Sequence, residues 1–230
     1  MTTFTEVFNF TEPIEIDYGI ERYEEHPYEP IIGTNLNSPG EIRIIIEEQN
    51  LFTLPSKAYL LFEGQLVKAD GTAYANANAV TLTNNGLMPL FSRITYQLSN
   101  HEIEAVYYPG QATTMLGMLN YANDIQLAQG LNQLWYKDAT STAVLADNTG
   151  FATRQAYIIQ KPTTKGTFSF CIPLRHIFGF CDDYDKVMFG LKHTLNRLKH
   201  IDLNTLVRQS DDNAIFDLLL QLQEKLILIK

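Results

Sequence analysis

The residues from Phe168 to Leu195 constrain this chain more tightly than any other stretch. They run Phe168-Ser-Phe-Cys-Ile-Pro-Leu174, then the corner Phe178-Gly-Phe-Cys181, the acidic run Asp182-Asp-Tyr-Asp185, and Val187-Met-Phe-Gly-Leu-Lys-His-Thr-Leu195. Two short apolar runs divided by turn residues predict a strand, a corner, a loop and a second strand. The same grammar recurs upstream. Pro39-Gly40 opens Glu41-Ile-Arg-Ile-Ile-Ile-Glu47, and Ala58–Ala69 ends at Asp70-Gly71, a turn pair whose glycine takes positive φ. Val80–Thr83 closes at Asn84-Asn-Gly86; Ser92–Leu98 alternates polar with apolar and turns through Asn100-His-Glu102 into Ile103–Tyr107. Gln155–Gln160 reads as a further strand, followed by the turn Pro162–Gly166. One helix is expected after Pro109-Gly110, where Met115, Leu116, Leu119 and Ala122 fall three and four apart as an apolar stripe. Many short strands and one helix describe an all-β antiparallel sandwich of jelly-roll type, and nothing alternates as βαβ.

Charge narrows the function classes. The 230 residues carry a formal net charge of −9, and seven carboxylates between Glu12 and Glu29 oppose the lone Arg22. Such a field repels nucleic acid and anionic membrane, so no direct nucleic-acid or membrane partner is expected. The basic cluster Lys192, Arg197 and Lys199 makes a weak patch at most. The N-terminus lacks a basic-then-apolar leader, so secretion is not expected, and no apolar run reaches spanning length. The cysteines, Cys171 and Cys181, form no CxxC pair and read as reduced thiols.

Catalytic, cofactor and metal motifs are missing. There is no phosphate-cradling loop, nucleophile elbow or HExxH helix. His193 and His200 fall on opposite faces of a strand, and His176 with Cys171 and Cys181 matches no zinc spacing. Asp182, Asp183 and Asp185 lack the glycine and closing glutamate of a calcium loop and read as solvated. The aromatic pairs Tyr107-Tyr108 and Trp135-Tyr136 stand without a basic groove, which disfavours nucleic-acid stacking. Trp135 beside Asp138 is the one place where a glycan site would fit. No catalytic, cofactor-binding or metal residue is nominated, and no small-molecule substrate is expected.

The Phe168–Leu198 segment resembles the end of the first roll in double jelly-roll major capsid proteins of large eukaryotic DNA viruses, virophages and Polinton-like elements, and still more the double jelly roll-like domain proteins. The pieces that carry the resemblance are Ile172-Pro-Leu174, Phe178-Gly-Phe-Cys181 and Val187–Leu195, supported by Ala58–Tyr74, Asn84-Asn-Gly86 and Asp211–Phe216. It implies a structural, non-enzymatic protein that assembles with itself as a trimer-type homo-oligomer in a virion-like or intracellular setting. The alternative is a domesticated jelly-roll protein that binds glycan or protein. Three parts are expected: an extended arm over residues 1–30, a jelly roll over 31–212, and a leucine-rich tail over 213–230. The arm and the polar excursion 123–150 are the expected subunit contacts. A single roll also leaves bare the face that would pack on a second one, which predicts self-association.

The tail has two readings. Ile215, Leu219, Leu222, Leu226 and Ile229 keep a coiled-coil seam, which predicts a helix. With leucine as CTG and glutamine as CAG, the neighbouring frame would instead read alanine-rich, as in a truncated or frameshifted copy.

Overall fold

The computed structural model describes residues 22, 24–31, 40–48, 50–68, 70–86, 88–122, 124–125, 130–139, 147–199, 207–209 and 218–229. Eleven strands among them form three antiparallel sheets. The first sheet has the order β1 (Glu25–Tyr28), β11 (Leu218–Ile229), β3 (Phe52–Lys68), β7 (Thr167–Pro173), with β8 (Met188–Phe189) on the start of β3. The second runs β2 (Gly40–Glu47), β9 (Lys192–Lys199), β5 (Phe91–Leu98), β6 (His101–Tyr107), and a small third sheet pairs β4 (Val80–Leu82) with β10 (Val207–Gln209).

Alternation decides which side of each sheet is inside. Ile42, Ile44 and Ile46 of β2, and Leu60 and Phe62 of β3, are buried while the residues between them are more exposed. The two layers meet through these side chains, with Phe62 5.8 Å from Phe91 across the core. β3 accommodates Pro55 at an irregularity, where its pairing with β11 shifts between Tyr59 and Leu54; a proline has no N–H for the ladder and belongs at such a bulge. The hairpin between β5 and β6 turns on Ser99 and Asn100, both at positive φ (47° and 69°), which matches the right-handed twist of the flanking strands.

Three expectations are corrected. The leucine-rich tail is a strand and not a helix: β11 lies between β1 and β3, pairing from Leu218 with Lys68 to Ile227 with Tyr59. A heptad seam needs a partner helix, whereas an unfilled sheet position satisfies the backbone directly. Gln155–Gln160 is no strand either. Helices with ranges among the described residues are α1 (Pro109–Asn120), α2 (Gly130–Gln133), α3 (Thr149–Ile158) and α4 (Gly179–Asp183), and α3 takes most of that segment. The Asn148 side chain accepts from Phe151 N at 3.1 Å, and Phe151, Arg154, Gln155 and Ile158 form its buried stripe. Finally, Val187–Leu195 is broken in two at Gly190, whose φ of 65° redirects the chain between β8 and β9. Most of the N-terminal arm lies outside the described residues; its last part is β1, on the outside of β11.

Candidate assembly surface around the first helix

The helix expected after Pro109 is α1, but its stripe points the other way. Met115 is 61% exposed, Leu116 49%, Met118 56% and Leu119 83%, and Ala122 is exposed too. The buried side consists of Pro109, Gly110, Thr113 and Gly117. These small residues let the helix backbone lie close to its support. A Cβ on Gly110 would stand 2.6 Å from Pro89 Cα, and one on Gly117 would stand 2.5 Å from the Trp135 ring. Thr113 donates to Pro109 O at 2.6 Å and accepts from Asn85 Nδ2 at 2.6 Å, which pins the helix from below. Its entry is fixed by Tyr108, in the left-handed region at φ 48°, whose N–H reaches Ser92 O at 2.8 Å. Tyr107 and Tyr108 remain solvent-facing beside it, with the Arg93 guanidinium over the Tyr107 ring.

Trp135 sits beneath α1 and is buried, with Tyr121 edge-on at 5.0 Å. Tyr121 donates to Gln133 Oε1, and the Gln133 amide meets His176 Nδ1 at 2.6 Å. Burial pushes His176 down to about 4. Asp138 is committed to Arg154, whose side chain is fully buried and holds that carboxylate at 2.6 Å, Leu82 O at 3.0 Å and Tyr136 O. Asn148 bridges the same Asp138 and Ala139 N. The Trp135–Asp138 place is therefore a packed structural clamp, with no indole face for a sugar.

The other sequence candidates are scattered. Cys171 and Cys181 are free thiols; burial raises both, Cys181 to about 12. Asp182 to Asp185 are exposed, around the end of α4. His193 is buried between Thr53 Oγ1 at 2.8 Å and Tyr96 OH at 2.7 Å, and desolvation lowers it to about 4. His200 lies outside the described residues. The basic patch does not form, because Arg197 is wholly buried over the Phe91 ring and burial lowers it to about 9. Among the described residues no three metal-ligating side chains converge, and no helix is long and apolar enough to cross a membrane.

Against α1 runs a groove of about 800 Å³, walled by Pro89, Phe91, Tyr108, Met115 and Met118. Apolar walls, outward methionines and leucines, and two flanking tyrosines are the makings of a contact surface. Sequence periodicity located the stripe but carried no sign of which side of the helix would be covered.

The double jelly roll-like domain model matches residues 80–226. The chain belongs to that family. No curated protein sequence matches it. Among solved structures, the mavirus major capsid protein is similar with a TM-score of 0.56 and 12% identity, over 94% of this chain and 47% of that one. A chain of the Sputnik virophage, solved by cryo-electron microscopy, gives a TM-score of 0.63 and 11% identity, over 96% and 50%. The chain thus spans about half the length of each, and the likeness is one of fold. In this member of the double jelly roll-like family the match runs through the β9–β10 connection and into β11.

Proposed function

We propose that the chain is a structural, capsid-like assembly protein of viral or Polinton-like origin, which associates with its own copies in a trimer-type arrangement in a virion-like or intracellular setting. The observation that carries this reading is the outward apolar stripe of α1. An isolated surface helix turns its large apolar side chains inward; here Met115, Leu116, Met118 and Leu119 face solvent and glycines face the core. With Tyr107 and Tyr108 the exposed parts of these side chains amount to on the order of 700 Å², near the ~800 Å² that one partner gives to a standard interface. The major capsid protein named for mavirus shares the fold, which supports the choice of self-assembly over binding of a small molecule. The glycan-binding alternative has no support at Trp135, which is buried.

The test is the double variant Leu116→Glu/Leu119→Glu, studied by sedimentation velocity beside the parent chain. The parent should associate at micromolar concentration, and the variant should sediment as a monomer with an unchanged circular dichroism spectrum. Exposed positions change stability little, so loss of association reports on the surface itself. A parent chain that stays monomeric well above micromolar concentration sinks the proposal.

A further inference from the structure

A second apolar surface lies at the other end of β5 from α1. β5 pairs Arg93 with Tyr107, just before α1, and Leu98 with His193, so the two ends stand roughly 17 Å apart along the strand. At the His193 end, β8 pairs with the start of β3 through two residues only, Phe52 with Phe189 and Thr53 with Met188. Alternation buries Thr53 and Met188 and leaves Phe52 58% and Phe189 56% exposed, with ring centroids 4.9 Å apart. Leu51 and Val187, the chain neighbours of this pairing, are exposed as well. The four side chains expose roughly 450 Å², within the ~300–600 Å² of the largest patch on an ordinary monomer, which is often functional. The ledge is held from behind. Thr53 Oγ1 donates to Met188 O at 3.3 Å and meets His193 Nε2 at 2.8 Å, and His193 Nδ1 meets Tyr96 OH at 2.7 Å. Gly190, at φ 65°, turns the chain away directly after Phe189. Rings fixed in advance lower the ordering cost of binding.

Charge selects the occupant. Asp182, Asp183 and Asp185 are exposed just before Val187, and Glu47 and Glu48 line a groove of about 260 Å³ together with Gly190 and Lys192. These five carboxylates are opposed by Lys186 and Lys192 alone, and Lys192 is already 3.5 Å from Glu47. Such a rim repels anions and attracts cations, and open aromatic rings add a cation–π attraction that arginine uses most often. The α1 stripe of another copy does not supply this chemistry. Residues 109–122 contain no lysine or arginine, and Arg93 beside them is held by Glu102 at 2.9 Å. Among the described residues β8 has no strand on its other side. An extended segment can therefore add there, with alternate side chains facing the rings.

We propose that this ledge docks an extended basic segment of a partner protein. Its apolar side chains would pack on Phe52, Phe189 and Val187, and its arginines or lysines would face Asp183, Asp185 and Glu47. The surface is separate from the α1 stripe and does not depend on the assembly reading.

The test is fluorescence anisotropy of a fluorescein-labelled peptide alternating arginine with leucine, titrated with the full-length chain in about 0.1 M salt, where the Debye length is about 10 Å. Affinity should fall at least about tenfold in Phe52→Ser/Phe189→Ser, which removes the central anchors. Asp183→Asn/Asp185→Asn should weaken binding about threefold and flatten its salt dependence. Peptides alternating arginine with serine, or glutamate with leucine, should bind at least about tenfold more weakly than the first, since each lacks half of the match. Leu116→Ser/Leu119→Ser should bind as the parent does. Where Phe52→Ser/Phe189→Ser loses the parent's circular dichroism spectrum, Val187→Ser takes its place and should still weaken binding. Equal affinity in the parent and the ledge variants, equally tight binding of the arginine–serine peptide, or no binding overturns the proposal. So does sedimentation in which Phe52→Ser/Phe189→Ser loses the parent's self-association, because a second copy would then cover the ledge. A parent that stays monomeric refutes the assembly reading and leaves this one to the peptide data.

Discussion

The clamp at Arg154 holds the helical insertion onto the sandwich, and breaking it should be costly. Arg154 projects from α3, and its guanidinium bonds to Leu82 O at the end of β4, to Tyr136 O, and to the Asp138 carboxylate, which is 22% exposed. Asp138→Ala leaves the two carbonyl contacts and removes the carboxylate that sits 2.6 Å from this buried cation, so its charge loses direct compensation. Removing one partner of a buried ion pair costs roughly 3–5 kcal/mol. Partial solvent access to Asp138 places the expected loss at the lower end, about 3 kcal/mol. For a chain of this size each kcal/mol moves Tm by about 2–4 °C, so Tm should fall by about 6–12 °C. Urea unfolding followed by circular dichroism measures the loss. A cycle with Arg154→Met and the double variant isolates the pair, and it should return a coupling above about 1.5 kcal/mol. A loss below about 1 kcal/mol with no coupling would refute the argument, and would return Asp138 to the pool of carboxylates free for a ligand.

Other consequences can be measured in the same way. His193, pushed by burial from 6.5 to about 4, binds protons in the unfolded chain first. The stability it contributes is complete above about pH 6.5 and is lost as pH falls towards 4, roughly 3 kcal/mol over the full window; His193→Gln should flatten that part of the stability–pH curve, and an unchanged slope would refute it. Gly117→Ala gains up to about 1 kcal/mol of helix propensity but drives a Cβ into the buried Trp135 ring, so a net loss of about 1–2 kcal/mol and a changed Trp135 emission are expected. Glu104 accepts from Gly179 N at 3.1 Å and Phe180 N at 2.9 Å, joining β6 to α4; Glu104→Ala should cost about 1 kcal/mol in urea unfolding. Ending the chain before Leu218 strips the partner from β3 between Leu54 and Lys68, and the product should aggregate, which light scattering will show.

The strands were legible because their signals are local. Ile42, Ile44 and Ile46 alternate in three buried steps, and Asp70-Gly71 and Asn84-Asn-Gly86 close their strands where the chain turns. What misled was whatever depends on a distant partner. Gln155-Ala-Tyr-Ile-Ile has β-branched character, yet the Asn148 cap and a groove for Phe151 and Ile158 override it. The tail has a leucine repeat that a helix could use, but an open position beside β3 takes it as a strand. The α1 stripe is the sharpest case. Met115, Leu116 and Leu119 follow helical spacing, and spacing says only that a stripe exists. Its direction is set by Gly110 and Gly117, which are the residues that permit contact with Pro89 and Trp135. A helix whose closest approach falls on its glycines must turn its bulk outward, so small residues at 110, 113 and 117 were the available sign that the apolar stripe faces away from the core.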